Sequence, residues 1–200
     1  MSFRKWKQFA PFYFYGGLAL CLASAAAFGP GPSRGQILIL FVSGFLSWGL
    51  IEYCLHRFIF HYHAHTPKAR KFVYEAHLSH HENPNATDRF FSSLRFSVPI
   101  AASYWLLLWA ILGTWRAASY FSIGVIAGYF CYEWLHFQAH HRRPRLPLFR
   151  YLKKYHLLHH YRSSESRFGV TSPLFDLALG TFQPVREYRR AKTATKARAR

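Results

Sequence analysis

Ten of the chain's 13 histidines fall into four spaced clusters. These are His56 with His61, His77 with His80 and His81, His136 with His140, and His156 with His159 and His160. In pattern form they read HxxxxH, HxxHH, HxxxH and HxxHH. Residues three and four apart share one face of a helix, so HxxHH is expected to aim three imidazoles one way and HxxxH two. The five-residue gap between His56 and His61 is less regular, and a helix end or distortion would be needed to bring those rings together. Neutral imidazole is the commonest metal ligand in proteins and suits iron, zinc, copper and nickel. Ten imidazoles exceed what one ion can take, so two ions with about five nitrogens each is the expected count. His63, His65 and His141 stand outside the pattern and read as polar groups near the mouth of such a site.

Four apolar segments have to position these clusters. Residues 9–28 carry no charge and suffice to cross a hydrocarbon core of about 30 Å. A Gly-Pro-Gly-Pro turn follows, and residues 36–51 form a second span whose helix is expected to run on to His61. Residues 96–115 and 117–135 give the third and fourth, with almost no loop between. The expected architecture is all-α, with four transmembrane helices in two hairpins. A cytoplasmic helical cap would hold the dimetal site. The membrane domain is placed at 1–185, followed by a basic, disordered tail at 186–200 lying near anionic lipid head groups.

The charge pattern supports that topology. The chain has 26 Lys and Arg against 8 Asp and Glu, and the hairpin tips hold only Arg34 and Arg116. All the other cations lie on the side of the termini, which the positive-inside rule assigns to the cytoplasm. So strong a positive charge otherwise suggests a nucleic-acid partner; its restriction to one membrane face makes lipid contact the simpler reading, with no nucleic acid. Every histidine cluster falls on the same side, where all four can converge. Cys21, Cys54 and Cys131 sit in apolar stretches without CxxC spacing and read as small hydrophobes. Glu52 and Glu133 precede His56 and His136 by four and three residues at the ends of apolar spans, where acids are functional by default. Each is expected to accept an imidazole N–H; Arg57 is the other candidate partner for Glu52.

Two stretches carry a family resemblance. Residues 52–61, Glu-Tyr-Cys-Leu-His-Arg-Phe-Ile-Phe-His, resemble the first histidine box of the fatty acid 2-hydroxylases within the fatty acid hydroxylase superfamily. Residues 153–161, Lys-Lys-Tyr-His-Leu-Leu-His-His-Tyr, with Phe-Gly-Val-Thr-Ser at 168–172 and Gly-Thr at 180–181, resemble the last. The resemblance implies a di-iron, O2-dependent monooxygenase that inserts oxygen at C2 of a long acyl chain of a fatty acid or ceramide. Zinc, which has no redox chemistry, would be an inactive substitute. Eukaryotic members often carry a haem-binding cytochrome domain. Only eight residues precede the first span here, so electrons are expected from a separate reductase, and a bacterial inner membrane fits better than the endoplasmic reticulum. Two alternatives stand beside this reading. One is a sterol or carotenoid oxidase of the same superfamily; the other is a non-catalytic membrane metal-binding or transport protein.

Overall fold

The computed structural model describes residues 9–86, 91 and 93–185, and among these all regular structure is helical. The basic tail expected at 186–200 lies outside the described residues. Helix α1 spans Ala10–Ala27 and α2 Arg34–Cys54, the latter continued by a π-helical turn at Leu55–Phe60. Short helices α3 (Pro67–Val73) and α4 (Ser79–Glu82) flank a second π-helical turn at Tyr74–Leu78. Helix α5 covers Leu94–Leu112, α6 Trp115–His141, α7 Pro147–Tyr161 and α8 Leu174–Ala178.

Local sequence explains the boundaries. Ser33 caps α2: its hydroxyl accepts from the Gln36 N–H at 3.3 Å while the Gln36 side chain accepts the Ser33 N–H at 2.8 Å, a reciprocal capping box. Gly113, at φ 74°, ends α5 in the left-handed conformation, and Thr114 caps α6 through the Ala117 N–H. Prolines 67 and 147 occupy the first turns of α3 and α7, where a missing N–H leaves no bond unmade.

Among the described residues, three helices are long and apolar enough to cross a membrane: Ala10–Ala27, Arg34–Phe60 and Leu94–Leu112. The fourth expected span, α6, is not among them, for a physical reason. It packs against α1, α2, α5 and α7 and buries Ala118, Ser119, Ser122, Gly124 and Gly128 among other helices. Its surface answers protein rather than lipid, and small residues there let backbones approach. A Cβ on Gly124 would lie 2.1 Å from the Phe41 carbonyl oxygen, and one on Gly44 2.0 Å from that of Phe121. Helices α2 and α6 are therefore in backbone contact. At ~1.5 Å per residue α6 is about 40 Å long, enough to carry its last turns beyond a hydrocarbon core.

The two hairpin turns meet at the end of the bundle away from the histidines. Arg116, at the start of α6, donates to the Phe28 carbonyl at 2.5 Å and lies over the Trp115 ring. Gly29 and Gly31 make room for it: a Cβ on either would stand 3.0–3.2 Å from the Arg116 side chain.

Candidate metal centre

The π-helical turn resolves the irregular first pair. In an α-helix, positions five apart point about 140° from each other. Here the His61 N–H reaches the His56 carbonyl at 3.1 Å, a five-residue bond that widens the turn and returns His61 to the side of His56. Their ring centroids are 5.0 Å apart.

All ten clustered histidines come together, and they divide into two groups of five. One holds His56, His61, His77, His81 and His159; the other holds His80, His136, His140, His156 and His160. Within each group the five nitrogens lie within 4.8 Å of one another. The HxxHH boxes therefore do not aim three rings at one point, as the sequence suggested. Each splits: its four-apart pair joins one group and the remaining histidine crosses to the other. Neighbours on a helix are ~100° apart, so His80 and His81, like His159 and His160, straddle the boundary. The two groups touch where the His81 and His160 rings stack at 4.0 Å. His63, His65 and His141 belong to neither; His63 faces Glu165 at 3.9 Å on the surface, and His141 packs on Phe137.

The spacing of the nitrogens tests whether metal ions fit. Nε2 of His56 lies 3.0 Å from that of His77, which lies 3.0 Å from that of His81. His159 and His61 approach at 3.1 Å, His80 and His136 at 2.9 Å, and His140 and His156 at 2.9 Å. Two nitrogens roughly 2.1 Å from one ion and at right angles stand roughly 3.0 Å apart. Two of these rings have their tautomer fixed. His56 Nδ1 donates to the Phe168 carbonyl at 2.5 Å, and His159 Nδ1 to that of Ser166 at 2.8 Å. Their Nε2 atoms then carry bare lone pairs, aimed at other imidazoles. A shared cation satisfies that arrangement, and the residues fit it.

Burial keeps these imidazoles neutral, as ligands must be. It pushes His80 down to about 3, helped by the neighbouring His81 and His141, and His81 down to about 4. His77, His156 and His159 are likewise held well below the usual value, chiefly by burial and then by neighbouring histidines. An unfolded chain takes up protons near 6.5; the folded, metal-free one resists until about 4. Unfolding therefore binds protons between these values, and stability falls as pH drops through that window. The metal-free protein is expected to melt at a clearly lower temperature at pH 5 than at pH 7.5. Equal melting temperatures would mean that the histidines protonate in place.

Both glutamates are buried, but Glu52 does not hold an imidazole. Its carboxylate accepts from the backbone N–H groups of Val170 and Thr171 and from the Thr171 hydroxyl at 2.5 Å. Nor is it paired with Arg57, which donates to the Tyr53 hydroxyl at 2.6 Å. The acid thus orders the loop whose Phe168 carbonyl turns His56. Glu133 lies fully buried in α6, where it interacts with Tyr129. The sequence reading missed Asp176. That buried carboxylate accepts from the Phe168 and Gly169 N–H groups at 2.8 and 2.9 Å and from the Thr181 hydroxyl at 2.7 Å. The only prior signal was its place between the Phe-Gly-Val-Thr-Ser and Gly-Thr stretches.

Residues 41–181 match the family model for fatty acid hydroxylases. The chain belongs to the fatty acid hydroxylase family. Membership makes it an enzyme of the hydroxylase class. It is 34% identical over 172 residues to a dihydroceramide fatty acyl 2-hydroxylase of Arabidopsis thaliana, covering 84% of this chain and 70% of the relative. A ceramide very long chain fatty acid hydroxylase of Saccharomyces cerevisiae is 37% identical over 147 residues, covering 72% of this chain and 38% of the relative. The human fatty acid 2-hydroxylase is 31% identical over 151 residues, with 72% and 40% covered. The chain thus spans well under half the length of the last two. The solved structure of full-length scs7p, in which only the hydroxylase domain is visible, superimposes with a TM-score of 0.79 at 31% identity, covering 89% of this chain and 67% of that one.

Proposed function

We propose that this family member hydroxylates C2 of a long acyl chain in a membrane lipid of the fatty acid or ceramide type, using two iron ions held by the ten histidines. The observation that carries the proposal is the pair of five-imidazole groups set at the end of an apolar cavity within the helix bundle. That cavity, of about 600 Å³, runs among α1, α2, α5 and α6 and is walled by Leu18, Trp48, Phe60, Ala101, Ile126 and Tyr129. Its volume is that of an ordinary ligand pocket. Phe60 both lines it and stacks on His77, with centroids 5.2 Å apart, so an acyl chain lying there approaches the first histidine group.

Iron supplies the oxidising power, drawn from O2, that a C–H bond demands and that acid–base side chains lack. The chain's own residues do the rest. The aliphatic and aromatic walls exclude water and fix the chain's depth, while the 166–171 loop keeps two imidazoles in the ligating tautomer. The sterol and metal-transport alternatives are weaker. The relatives named above act on fatty acyl or ceramide substrates, and transporters usually bind near the bilayer midplane, whereas these groups sit at one end of the bundle.

The reading includes four spans in two hairpins, with α6 enclosed by the others. Both termini would lie on the cytoplasmic side, where α3, α4, α7 and α8 form the cap. Electrons would come from a separate reductase, and zinc would fill the site without turnover.

Mass spectrometry of lipids from cells expressing the chain tests the proposal. Acyl chains gaining one oxygen atom at C2 are expected with the wild type and not with His159→Ala, which removes a ligand that also anchors to Ser166. Oxygenated sterols or carotenoids instead would move the assignment to another branch. No oxygenated lipid, even with iron and a reductase supplied, would end the proposal of acyl-chain hydroxylation and favour the metal-handling alternative.

A further inference from the structure

We infer that the two ion sites are inequivalent, and that Asp176 is the positioning residue that makes one of them the tighter. The inference rests on the metal-binding reading above. Two imidazole-to-carbonyl bonds, His56 to Phe168 and His159 to Ser166, serve the group of His56, His61, His77, His81 and His159. In the other group, Nδ1 of His156 and Nδ1 of His160 are buried without a hydrogen-bond partner among the described residues. No hydrogen bond on the Nδ1 side orients those two rings: His160 stacks on His81, and His156 meets the His136 ring edge-on.

The carbonyls that serve the first group are fixed by unusually dense bonding. Asp176, with no exposed surface, accepts Phe168 N–H on one oxygen and Gly169 N–H on the other, while its backbone carbonyl accepts from Thr181 and Phe182 at 2.9 and 3.0 Å. Glycine at 169 leaves room for this loop, since a Cβ there would lie 3.0 Å from Asp176 Oδ2 and 2.1 Å from the Ser172 carbonyl oxygen. The neighbouring Arg167 is buried at φ 64°, a conformation side chains disfavour, and is tied by its N–H to Thr181 and by its guanidinium to Gln183. A carbonyl held this firmly fixes ring orientation and raises ligand basicity. An asparagine at 176 would turn an N–H group against one of the two backbone donors and loosen the carbonyls that follow.

Timed chelation of the chain, purified in detergent from iron-supplied cells, provides the test. The wild type is expected to lose one metal equivalent quickly and the second at least about tenfold more slowly, the lower end of what such outer hydrogen bonds are worth. His160→Gln should remove the fast equivalent and leave the slow one. Asp176→Asn should speed or abolish the slow one while the fast one persists, an effect that general destabilisation would spread over both. Two equivalents leaving the wild type in a single phase would overturn the inference and leave the metal reading intact. So would a slow phase unchanged by Asp176→Asn. A wild type that binds no metal would instead overturn the metal reading itself. Should Asp176→Asn not fold, the wild type and His160→Gln still decide whether the sites differ. Thr181→Val, which removes the hydroxyl bond to the Asp176 carboxylate, should then speed the slow loss in its place; an unchanged slow phase there would overturn the role of Asp176.

Discussion

Leucine in place of Glu52 is expected to destabilise the protein by about 3 kcal/mol or more and to strip it of metal. The carboxylate satisfies three donors, the buried Val170 N–H and the half-buried Thr171 N–H and hydroxyl. Each backbone donor left unmet in the interior costs about 1–3 kcal/mol. Freed from its anchor, the loop would release the Phe168 carbonyl from His56. Glutamine should be far milder, by about 1 kcal/mol, because its carbonyl can still take both N–H bonds and its amide can donate to the hydroxyl. Denaturant melts in detergent with metal analysis separate the two. Equal loss in both variants would show that the negative charge, rather than the acceptor geometry, matters.

An added methyl at Gly124 should have a comparable effect through a different route. It would stand 2.1 Å from the Phe41 carbonyl oxygen, where about 3.4 Å is comfortable. Helices α2 and α6 must then part by about 1 Å, a form of overpacking that costs about 1–3 kcal/mol. Helix α6 carries His136 and His140, and α2 leads into His56, so the separation is transmitted to the ligands. Misplacement on this scale lowers reaction rates by about 100-fold. Gly124→Ala is accordingly expected to lose nearly all hydroxylated lipid. Gly17→Ala, with nothing within 4 Å of the new carbon, should behave as wild type. Full activity in Gly124→Ala would mean that the two helices can separate without disturbing the histidines.

Much of the centre is legible in the sequence because histidine spacing and charge are local properties. The clusters and the bare tips at Arg34 and Arg116 carry their meaning in residue type and position. What is not legible depends on rotation and long-range contact. The split of each HxxHH box depends on where the boundary between the two groups falls across α4 and α7, and only packing decides that. His61 joins His56 through a π-helical turn whose residues, Leu55–Phe60, carry no distinctive signature. Glu52 looked like an imidazole partner from its place in α2; its true partners lie more than a hundred residues away. Asp176 was equally silent, since a carboxylate near the end of a chain announces nothing until the loop it binds is folded. Nor was the setting of helix α6 legible: residues 117–135 were expected to form a span, and only the fold shows that their small residues lie against other helices.

That each histidine group draws on three of the four clusters, both of them needing a histidine from α7, has a consequence for the life history of the molecule. A ribosome releases His56 early and His160 late, with the Ser166 and Phe168 carbonyls and the Asp176 clamp later still. A chain that stops before His159 contains neither complete ligand set. On the four-span proposal, the hairpins, joined at their far tips by Arg116, would be in the bilayer while the imidazoles remain empty. On the metal-binding proposal, metallation would come late in biogenesis, as the event that draws the end of α2 and helix α7 together. A nascent chain cut short before Asp176 would be inserted and yet immature.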